Sequence, residues 1–266
     1  MEDAIEYFAV FGGLGMEIDM NIPLEELIVT NILDRYKYLR NDINAYTTKD
    51  ELFPAILTGA ATGDRRTNST FKRAKVAYND GMDCVEDLLD LDVIKLESSF
   101  EHNPVAQRIL FTSPFVRFWF AFVSPLFKGI KEGSYKEFFE NFNNKKMDFV
   151  QLMFEQLCFE FVKLYFKDEK IYNIGRYWDE KTEINLLAKT KEGKIIAGSC
   201  KYINSKLKKS ELGKLKESCK TAEIEPDMYL LFAKKGYSSE LKSLKSETLK
   251  LFTCRNLKVL IEDGIQ

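Results

Sequence analysis

Three short stretches in the C-terminal half of the sequence hold polar residues at spacings that could do chemistry. The candidate side chains are Glu155 in FEQLCFEFV, Glu183 and Asn185 in TEINLLA, and Ser199 and Lys201 in GSCKY. The first stretch has helical spacing, whereas the other two alternate like strands, whose successive side chains point to opposite faces. Glu183 and Asn185 are therefore expected on one face, and so are Ser199 and Lys201, while Cys200 points away. Carboxylates beside a lysine can hold a metal ion and position a water molecule for hydrolysis.

The elements that must position these residues follow from the periodicity. Apolar residues from Phe149 to Tyr165 recur at helical steps, and the polar run NFNNKK before them predicts a break in the chain. IYNIGRYW, TEINLLAKT and KIIAGSCKY then predict a meander of three strands. Further predicted elements are a helix over Ser210–Ala222, a strand MYLLFA, a helix over Ser238–Phe252 and a last strand KVLI. The predicted order is αβββαβαβ.

This order and four strings in sequence resemble a known family. SPFVRFWFAFVSP, FEQLCFEFV, IGRYWDEKTEINLLA and IIAGSCKY are similar to the domain of unknown function that follows archaeal DEXX-box ATPases, within the PD-(D/E)xK restriction-endonuclease-like superfamily. The resemblance covers Phe111 to the end of the chain. It implies a restriction-endonuclease-like fold.

The resemblance also implies roles for single residues. The family pattern reads FE on the helix, EID on the second strand and GECK on the third, whereas this chain reads FE, EIN and GSCK. Glu155 and Lys201 then match the helix glutamate and the lysine. Asn185 and Ser199 replace an aspartate and a glutamate that would be the metal ligands. Because Mg²⁺ usually takes one or two carboxylates, the resemblance implies a domain that has lost its cutting chemistry and has no cofactor.

Two other interpretations of the same residues stay open. In the first, Glu155 and Glu183 hold one Mg²⁺ between them and Lys201 positions the attacking water, so the protein is an active nuclease. In the second, Glu155, Asn185 and Lys201 form a polar core cluster left by descent. Under the inactive interpretation, Lys201 gives the cleft a positive charge that is balanced at most by Glu155, so the cleft could hold a phosphate without cutting it.

The N-terminal half is predicted to be mainly helical. Apolar periodicity predicts helices over Pro23–Leu39, from a capping box of Thr48 and Glu51 to Leu57, and over Phe71–Leu91. VIKLESS and RILFT are predicted strands joined by a turn at residues 101–104, which contains His102. Helix, helix, longer helix and two strands is the order of a winged helix-turn-helix.

A basic cluster lies beside the longest of these predicted helices. Arg65, Arg66, Lys72 and Arg73 could bind the phosphates of DNA. The rest of the same helix is acidic and would repel phosphate; its acidic residues are Asp80, Asp83, Glu86, Asp87 and Asp90. Winged helices also serve as protein-interaction modules, and an acidic face suits that use.

Charge is distributed unevenly along the chain. Residues 1–60 contain 4 Lys or Arg and 11 Asp or Glu (4 − 11 = −7), whereas residues 181–220 contain 11 and 4 (11 − 4 = +7). A basic stretch favours phosphate backbones or an acidic protein surface. Candidate nucleic-acid contacts in this stretch are Lys201, Lys206, Lys208 and Lys209.

Composition excludes several classes of protein. The chain is 45% hydrophobic and 30% charged, which is typical of a globular protein and not of a disordered one. The GGLG at 12–15 lacks the Lys-Ser/Thr ending of an ATP-binding loop, and His102 is the only histidine, which disfavours a histidine zinc site or a Ser-His-Asp triad. The five cysteines form no CxxC pair and are expected to be reduced.

No charged-then-apolar leader opens the chain, and the most apolar stretch, residues 111–130, is interrupted by Arg117, Pro125 and Lys128. We therefore expect a cytoplasmic protein with no membrane contact.

Together these observations predict an α+β protein of three parts. Residues 1–105 are a winged-helix-like domain, 106–145 an aromatic helical linker, and 146–266 a nuclease-like αβββαβ domain. The expected function is non-catalytic nucleic-acid binding or regulation, with DNA or another nucleic acid as partner. The alternatives are an active Mg²⁺-dependent nuclease, and a protein-interaction adaptor or homodimer that binds no nucleic acid.

Overall fold

The computed structural model describes residues 2–101 and 106–262. The chain forms two compact units. The N-terminal unit comprises Glu6–Ser98 and Ala106–Lys146, and the C-terminal unit comprises Met147–Gln266 with Met1–Ile5 and Ser99–Val105. The predicted mixed α+β class is confirmed. Within the part of the chain that is described, none of the helices is long and apolar enough to cross a membrane.

The first half of the chain is mostly helical, and its two strands lie after the sixth helix. Val29–Leu33 and Trp119–Val123 are π-helical and continue the helices before them, and Ser124–Leu126 is a 3₁₀ turn. The α-helices are α1 (Glu2–Phe11), α2 (Leu24–Ile28), α3 (Tyr36–Thr47), α4 (Phe53–Ala61), α5 (Thr67–Ala74), α6 (Tyr78–Asp90), α7 (Pro114–Phe118) and α8 (Phe127–Lys131).

Two of the helix predictions were wrong in their bounds. The predicted helix Pro23–Leu39 is interrupted between Leu33 and Tyr36, and α3 then continues to Thr47. The predicted capping box is absent, because Thr48 lies at the C-terminal end of α3 and α4 begins only at Phe53. In its place Asp50 Oδ1 accepts a hydrogen bond from the backbone N–H of Leu52 at 2.7 Å.

The predicted helix Phe71–Leu91 is in fact two helices, α5 and α6. Lys75 adopts a left-handed conformation (φ 58°, ψ 39°) that ends α5, and Val76 N–H bonds back to the Phe71 carbonyl. The helices then pack closely at Gly81. A Cβ atom at Gly81 would lie 2.7 Å from the Phe71 ring, so glycine here allows the close approach of two helices.

A small antiparallel sheet completes this region of the chain. Its strands are β1 (Ile94–Glu97) and β2 (Arg108–Phe111), as predicted, with Ile94 paired to Phe111. An isolated antiparallel bridge joins Arg66 to Arg108, so the segment before α5 pairs with β2 as well. The turn predicted at residues 101–104 contains His102, which lies outside the described residues.

Aromatic side chains form the core of the N-terminal unit. Tyr36 stacks on Trp119 with ring centroids 5.5 Å apart. The ring of Phe142 contacts both Phe118 and Phe122 edge-on, at centroid distances of 5.8 and 5.2 Å. Such pairs contribute about 0.5–1.5 kcal/mol each beyond the area that they bury. The predicted linker 106–145 therefore contributes its rings to a packed core.

The second half of the chain is a five-stranded sheet with helices. Its elements are α9 (Lys136–Tyr165), β3 (Ile171–Trp178), β4 (Glu183–Thr190), β5 (Ile195–Lys201), α10 (Lys209–Thr221), β6 (Met228–Ala233), α11 (Ser239–Ser243), β7 (Leu249–Thr253) and α12 (Val259–Glu262). The strands lie side by side in chain order. β3, β4 and β5 are antiparallel, and β6 and β7 continue the sheet in parallel with β5.

The predicted order of elements is confirmed, but three bounds were wrong. NFNNKK does not break the chain, because α9 runs through it without interruption. The predicted helix Ser238–Phe252 is helical only as α11, which Ser238 caps through a hydrogen bond from Leu241 N–H. The last strand is β7 and not KVLI, which is helical. Pairing with β6 places Leu249 opposite Tyr229, and this tertiary contact overrides the helical propensity of the segment.

The segment that follows β1 contributes to the C-terminal unit. Phe100 N–H donates to the Arg176 carbonyl at 2.7 Å. The Ser99 hydroxyl donates to the Trp178 carbonyl and accepts from the Trp178 N–H, both at 2.8 Å. The free side of β3 is thereby hydrogen-bonded over part of its length.

Candidate functional site

A β-bulge in β4 decides which residues can meet. Gly175 of β3 pairs with Leu187, and Tyr177 pairs with Ile184, so three steps along β4 span two steps along β3. As a result Ile184 and Leu187 both lie in the core that α10 covers. Asn185 is turned to the other face of the sheet, where α9 lies. Bulges often re-aim a side chain in this way.

Glu155 lies on that face and is fully engaged by neighbouring side chains. Its Oε2 accepts a hydrogen bond from Arg176 Nε at 2.7 Å. Its Oε1 accepts from Gln151 Nε2 at 2.7 Å and from Asn185 Nδ2 at 3.1 Å. Both charged side chains are buried, with 7% of Glu155 and 1% of Arg176 exposed. The guanidinium also lies 4.9 Å from the centre of the Phe159 ring.

The side-chain amides of Gln151 and Asn185 also hydrogen-bond to the backbone at the end of β5. Gln151 Nε2 also donates to the Cys200 carbonyl, and Gln151 Oε1 accepts from Tyr202 N–H at 2.8 Å. Asn185 Oδ1 accepts from Cys200 N–H at 3.4 Å. Gln151 and Asn185 therefore act as connectors between the Glu155 carboxylate and the backbone of β5.

Ser199 and Lys201 meet a different carboxylate. The Ser199 hydroxyl donates to Glu211 Oε1 at 2.8 Å, and Lys201 Nζ lies 3.5 Å from the same oxygen. Glu211 lies in the first turn of α10 and is 14% exposed. The expectation that only Glu155 could balance Lys201 was wrong, because Glu211 supplies that charge. It does so from a helix that sequence analysis did not connect with the site.

The five predicted residues thus fall into separate groups. Glu155 and Asn185 are joined by a hydrogen bond, whereas Ser199 and Lys201 come together at Glu211. Glu183 begins β4, opposite Trp178, and is exposed.

These groups do not fit a magnesium site as they are arranged. Glu155 already receives three donors, including a guanidinium that balances its charge, so little of its charge or acceptor capacity is left for a metal ion. The Asn185 amide directs its nitrogen at Glu155 and its oxygen at Cys200 N–H. In residues 2–101 and 106–262, no three His, Cys, Asp or Glu side chains are grouped as metal ligands.

The lysines of the basic stretch in the C-terminal unit lie at its surface. Lys206 and Lys208 are exposed on either side of Leu207, which bridges to Tyr237. Lys209 begins α10 and pairs with Glu240 at 3.3 Å, both side chains being well exposed. The same helix carries three more exposed lysines, Lys214, Lys216 and Lys220.

The basic residues of the N-terminal unit are engaged differently. Arg73 Nε donates to the Gly59 carbonyl at 2.9 Å, and its other nitrogens contact Asp64, so it ties α5 to the end of α4. Burial alone would raise the pKa of Asp64, but the hydrogen bond from Ser69 and the charge of Arg73 hold that pKa below its usual value. Arg65 and Arg66 are partly buried, and of the four predicted residues Lys72 and Arg73 are exposed.

Comparison with known proteins places the polar groups within a family match. Residues 119–215 are similar to a family described as archaeal and bacterial proteins of unknown function. The matched segment contains Glu155, Glu183, Asn185, Ser199 and Lys201, and also Glu211. Neither the characterised proteins nor the solved structures gave a match to this chain.

Sequence reasoning missed Gln151, Arg176 and Glu211. Gln151 precedes Glu155 by one helical turn, at the i, i+4 spacing that brings side chains together, and this signal was available. Arg176 stands in a run of alternating residues as the one cation in IGRYW, a weaker signal. Glu211 has no local signal, since only the packing of α10 on the sheet brings it to Ser199.

Proposed function

We propose that the C-terminal unit is a PD-(D/E)xK-type domain that binds nucleic acid and does not cut it. The proposal is supported by the element order αβββαβ and by Glu155 and Lys201 in the positions that the family resemblance implies. Its main support is the buried pair of Glu155 and Arg176 at 2.7 Å. A carboxylate whose charge is already balanced by a buried guanidinium attracts a metal ion much less strongly than a free carboxylate does.

A basic surface on the same unit supports the binding part of the proposal. Lys206 and Lys208 are exposed, and so are the lysines of α10. Ammonium groups arranged along a surface neutralise phosphates and release counterions, so affinity depends strongly on salt. Lys201 is less available, because Glu211 already pairs with it.

Titration of fluorescent duplex and single-stranded DNA at two salt concentrations tests the binding. Raising the salt from about 50 mM to about 200 mM should weaken binding by tenfold or more. Lys206→Ala with Lys208→Ala should weaken it further and flatten the dependence on salt, by about one unit of slope for each phosphate that is no longer neutralised. Lys131→Ala, an exposed helical lysine of the N-terminal unit, is the matched control and should change nothing. Absence of binding at low salt would refute the proposal.

Incubation of plasmid DNA and RNA with Mg²⁺ or Mn²⁺ tests the absence of cutting. Both substrates should remain intact. Metal-dependent cleavage that disappears in Glu155→Gln or Glu183→Gln would instead establish the nuclease alternative.

For the N-terminal unit we propose a winged helix-turn-helix that binds protein. The order α4, α5, α6, β1, β2 and the bridge of Arg66 to Arg108 support the winged-helix assignment. Helix α6 would be its recognition helix, and exposed carboxylates line it; they include Asp80, Asp83, Glu86 and Asp90. Phosphate would be repelled by this surface, whereas a basic protein would not. Neutralising two of these carboxylates, as Asp83→Asn and Glu86→Gln, should weaken capture of a basic protein and should not weaken the binding of DNA.

A further inference from the structure

A pocket of about 400 Å³ opens on the C-terminal unit where α10, β6 and the start of β7 come together. Its volume falls in the range of about 300–1,000 Å³ that is typical of small-molecule sites. None of its lining residues belongs to the Glu155 or Lys201 groups described above. The pocket is therefore separate from those groups, and it shares only Lys209 and Lys216 with the exposed lysines of α10.

One part of the lining is suited to an anion. Lys209 and Lys216 both line the pocket from α10, and a spacing of seven residues places them two turns apart on the same helix face. Lys209 also pairs with Glu240 at 3.3 Å, but this ion pair is exposed and therefore weak, so a phosphate can compete for the ammonium. Ser246 and Thr248 line it as well, with their hydroxyl oxygens 3.3 Å apart. Two ammonium groups and two hydroxyls are the donors with which proteins bind phosphate.

Another part of the lining is apolar. Leu212 and Leu249 are buried, and Leu244 is 38% exposed. Tyr229 joins them, with Lys216 Nζ 5.4 Å from the centre of its ring. Apolar walls with a few convergent polar groups are the usual lining of an organic-ligand site.

Gly213 leaves the backbone of α10 uncovered at the pocket. It lies inside α10 and lines the pocket, and a Cβ atom at this position would meet nothing within 4 Å. Glycine in a helix interior costs about 1 kcal/mol relative to alanine, and packing here does not require it. The bare backbone leaves room for a ligand to approach the helix closely.

From these observations we propose that the pocket binds a nucleoside phosphate, with the phosphate at Lys209 and Lys216 and the base against the leucines and Tyr229. The nucleotide could be free or could be the 5′-terminal residue of a single strand, since both present the same chemistry. This site goes beyond the proposed function, because a nucleotide could bind here even if no duplex binds elsewhere.

Isothermal titration of the full chain with AMP, adenosine and inorganic phosphate tests the proposal. AMP should bind at least tenfold more tightly than adenosine or phosphate, because only AMP uses both parts of the lining. Lys216→Gln should weaken AMP binding about tenfold. Lys220→Gln, an exposed lysine of α10 that does not line the pocket, should leave it unchanged.

Gly213→Phe should fill the pocket and abolish AMP binding, and circular dichroism would verify that the variant folds. If this variant does not fold, the effect of Lys216→Gln on AMP binding tests the site alone. A short oligonucleotide with a 5′-phosphate, compared with its 5′-hydroxyl form, separates the two sources of ligand. Binding of either AMP or the phosphorylated oligonucleotide, lost in these variants, supports the site. Failure of both to bind, or binding unaffected by both variants, would overturn it. The duplex affinity that Lys206 and Lys208 control should not respond to Gly213→Phe, so the two proposals can fail separately.

Discussion

The Glu155 carboxylate accepts a hydrogen bond from the Arg176 guanidinium at 2.7 Å, and both side chains are buried. Removal of one partner from such a pair leaves an uncompensated buried charge, which typically costs about 3–5 kcal/mol. We therefore expect Arg176→Met to destabilise the C-terminal unit by that amount. The double variant Glu155→Gln/Arg176→Met should lose much less, because no charge remains buried.

Fluorescence can measure this loss in one unit at a time. The chain has two tryptophans, Trp119 and Trp178, and Trp178 is fully buried in the C-terminal unit. In a Trp119→Phe background, urea unfolding followed by Trp178 emission reports on that unit. A single Arg176→Met variant as stable as the double variant would contradict the prediction.

Asn185→Asp should also destabilise the C-terminal unit, although it introduces the carboxylate that the family resemblance would imply at this position. The amide nitrogen of Asn185 donates to Glu155 at 3.1 Å, and a carboxylate oxygen in its place could only repel. Loss of a donor to a buried acceptor such as Glu155 costs about 1–3 kcal/mol. The same tryptophan assay measures the effect. Mn²⁺ that restored the lost stability would show that the variant has gained a metal site.

Two glycines should respond in opposite ways to alanine. Gly81→Ala places a methyl group 2.7 Å from the Phe71 ring, and overpacking of this kind costs about 1–3 kcal/mol. Gly213→Ala meets no atom within 4 Å and should stabilise α10 by up to about 1 kcal/mol. Thermal unfolding of both variants measures the difference, and equal shifts of the two would be evidence against the packing of α5 on α6.

The lowered pKa of the Asp64 carboxyl makes the stability of the N-terminal unit depend on pH. Its pKa in the folded protein is lowered from 3.8, with burial opposed by the Ser69 hydrogen bond and the Arg73 charge. A lowered folded pKa adds stability above the unfolded value, and that stability is lost as the pH falls through the folded pKa. Stability should therefore decline as the pH drops below about 4, and Asp64→Asn should decline less steeply. Unfolding at pH 3 to 5 gives the comparison, and parallel profiles would remove Asp64 as the cause.

All five cysteines should resist thiol reagents until the protein unfolds. Each is buried and free. Burial raises the pKa of Cys84 and of Cys219 to about 11 and that of Cys254 to about 12, and the thiolate is the reactive form. At pH 8, a chromogenic thiol reagent should react with almost none of the thiols in the folded protein. It should react with all five once the protein is unfolded in urea. A rapid reaction of even one thiol in the folded state would contradict the burial.

Much of the sheet was predictable from sequence, because β3, β4, β5 and β6 alternate or are continuously apolar. The segment that became β7 was not, since its lysines and leucines favour a helix and only pairing with β6 makes it a strand. The Phe71–Leu91 pattern concealed a break for a similar reason. The apolar periodicity continues across Lys75, and nothing in the residue types there predicts the left-handed conformation that ends α5.

The sequence predicted which residues belong to the candidate site better than it predicted which of them contact one another. Alternation gave the faces of Ser199 and Lys201, and helical spacing gave Glu155. The bulge that carries Asn185 to Glu155 depends on the pairing of β3 with β4, which a single strand pattern does not encode. The partners Arg176 and Glu211 come from elements distant in the chain, so only the folded packing shows them.

The hydrogen bonds of Ser99 and Phe100 to β3 have a consequence for dissecting the protein. A fragment that begins at residue 147 would contain every strand of the large sheet but would lack these two residues. The backbone groups of Arg176 and Trp178 would then form an uncovered sheet edge, and such edges recruit strands from other molecules. Truncation at the apparent boundary would therefore favour aggregation, whereas a fragment with residues 99–100 linked ahead of α9 would keep that edge closed.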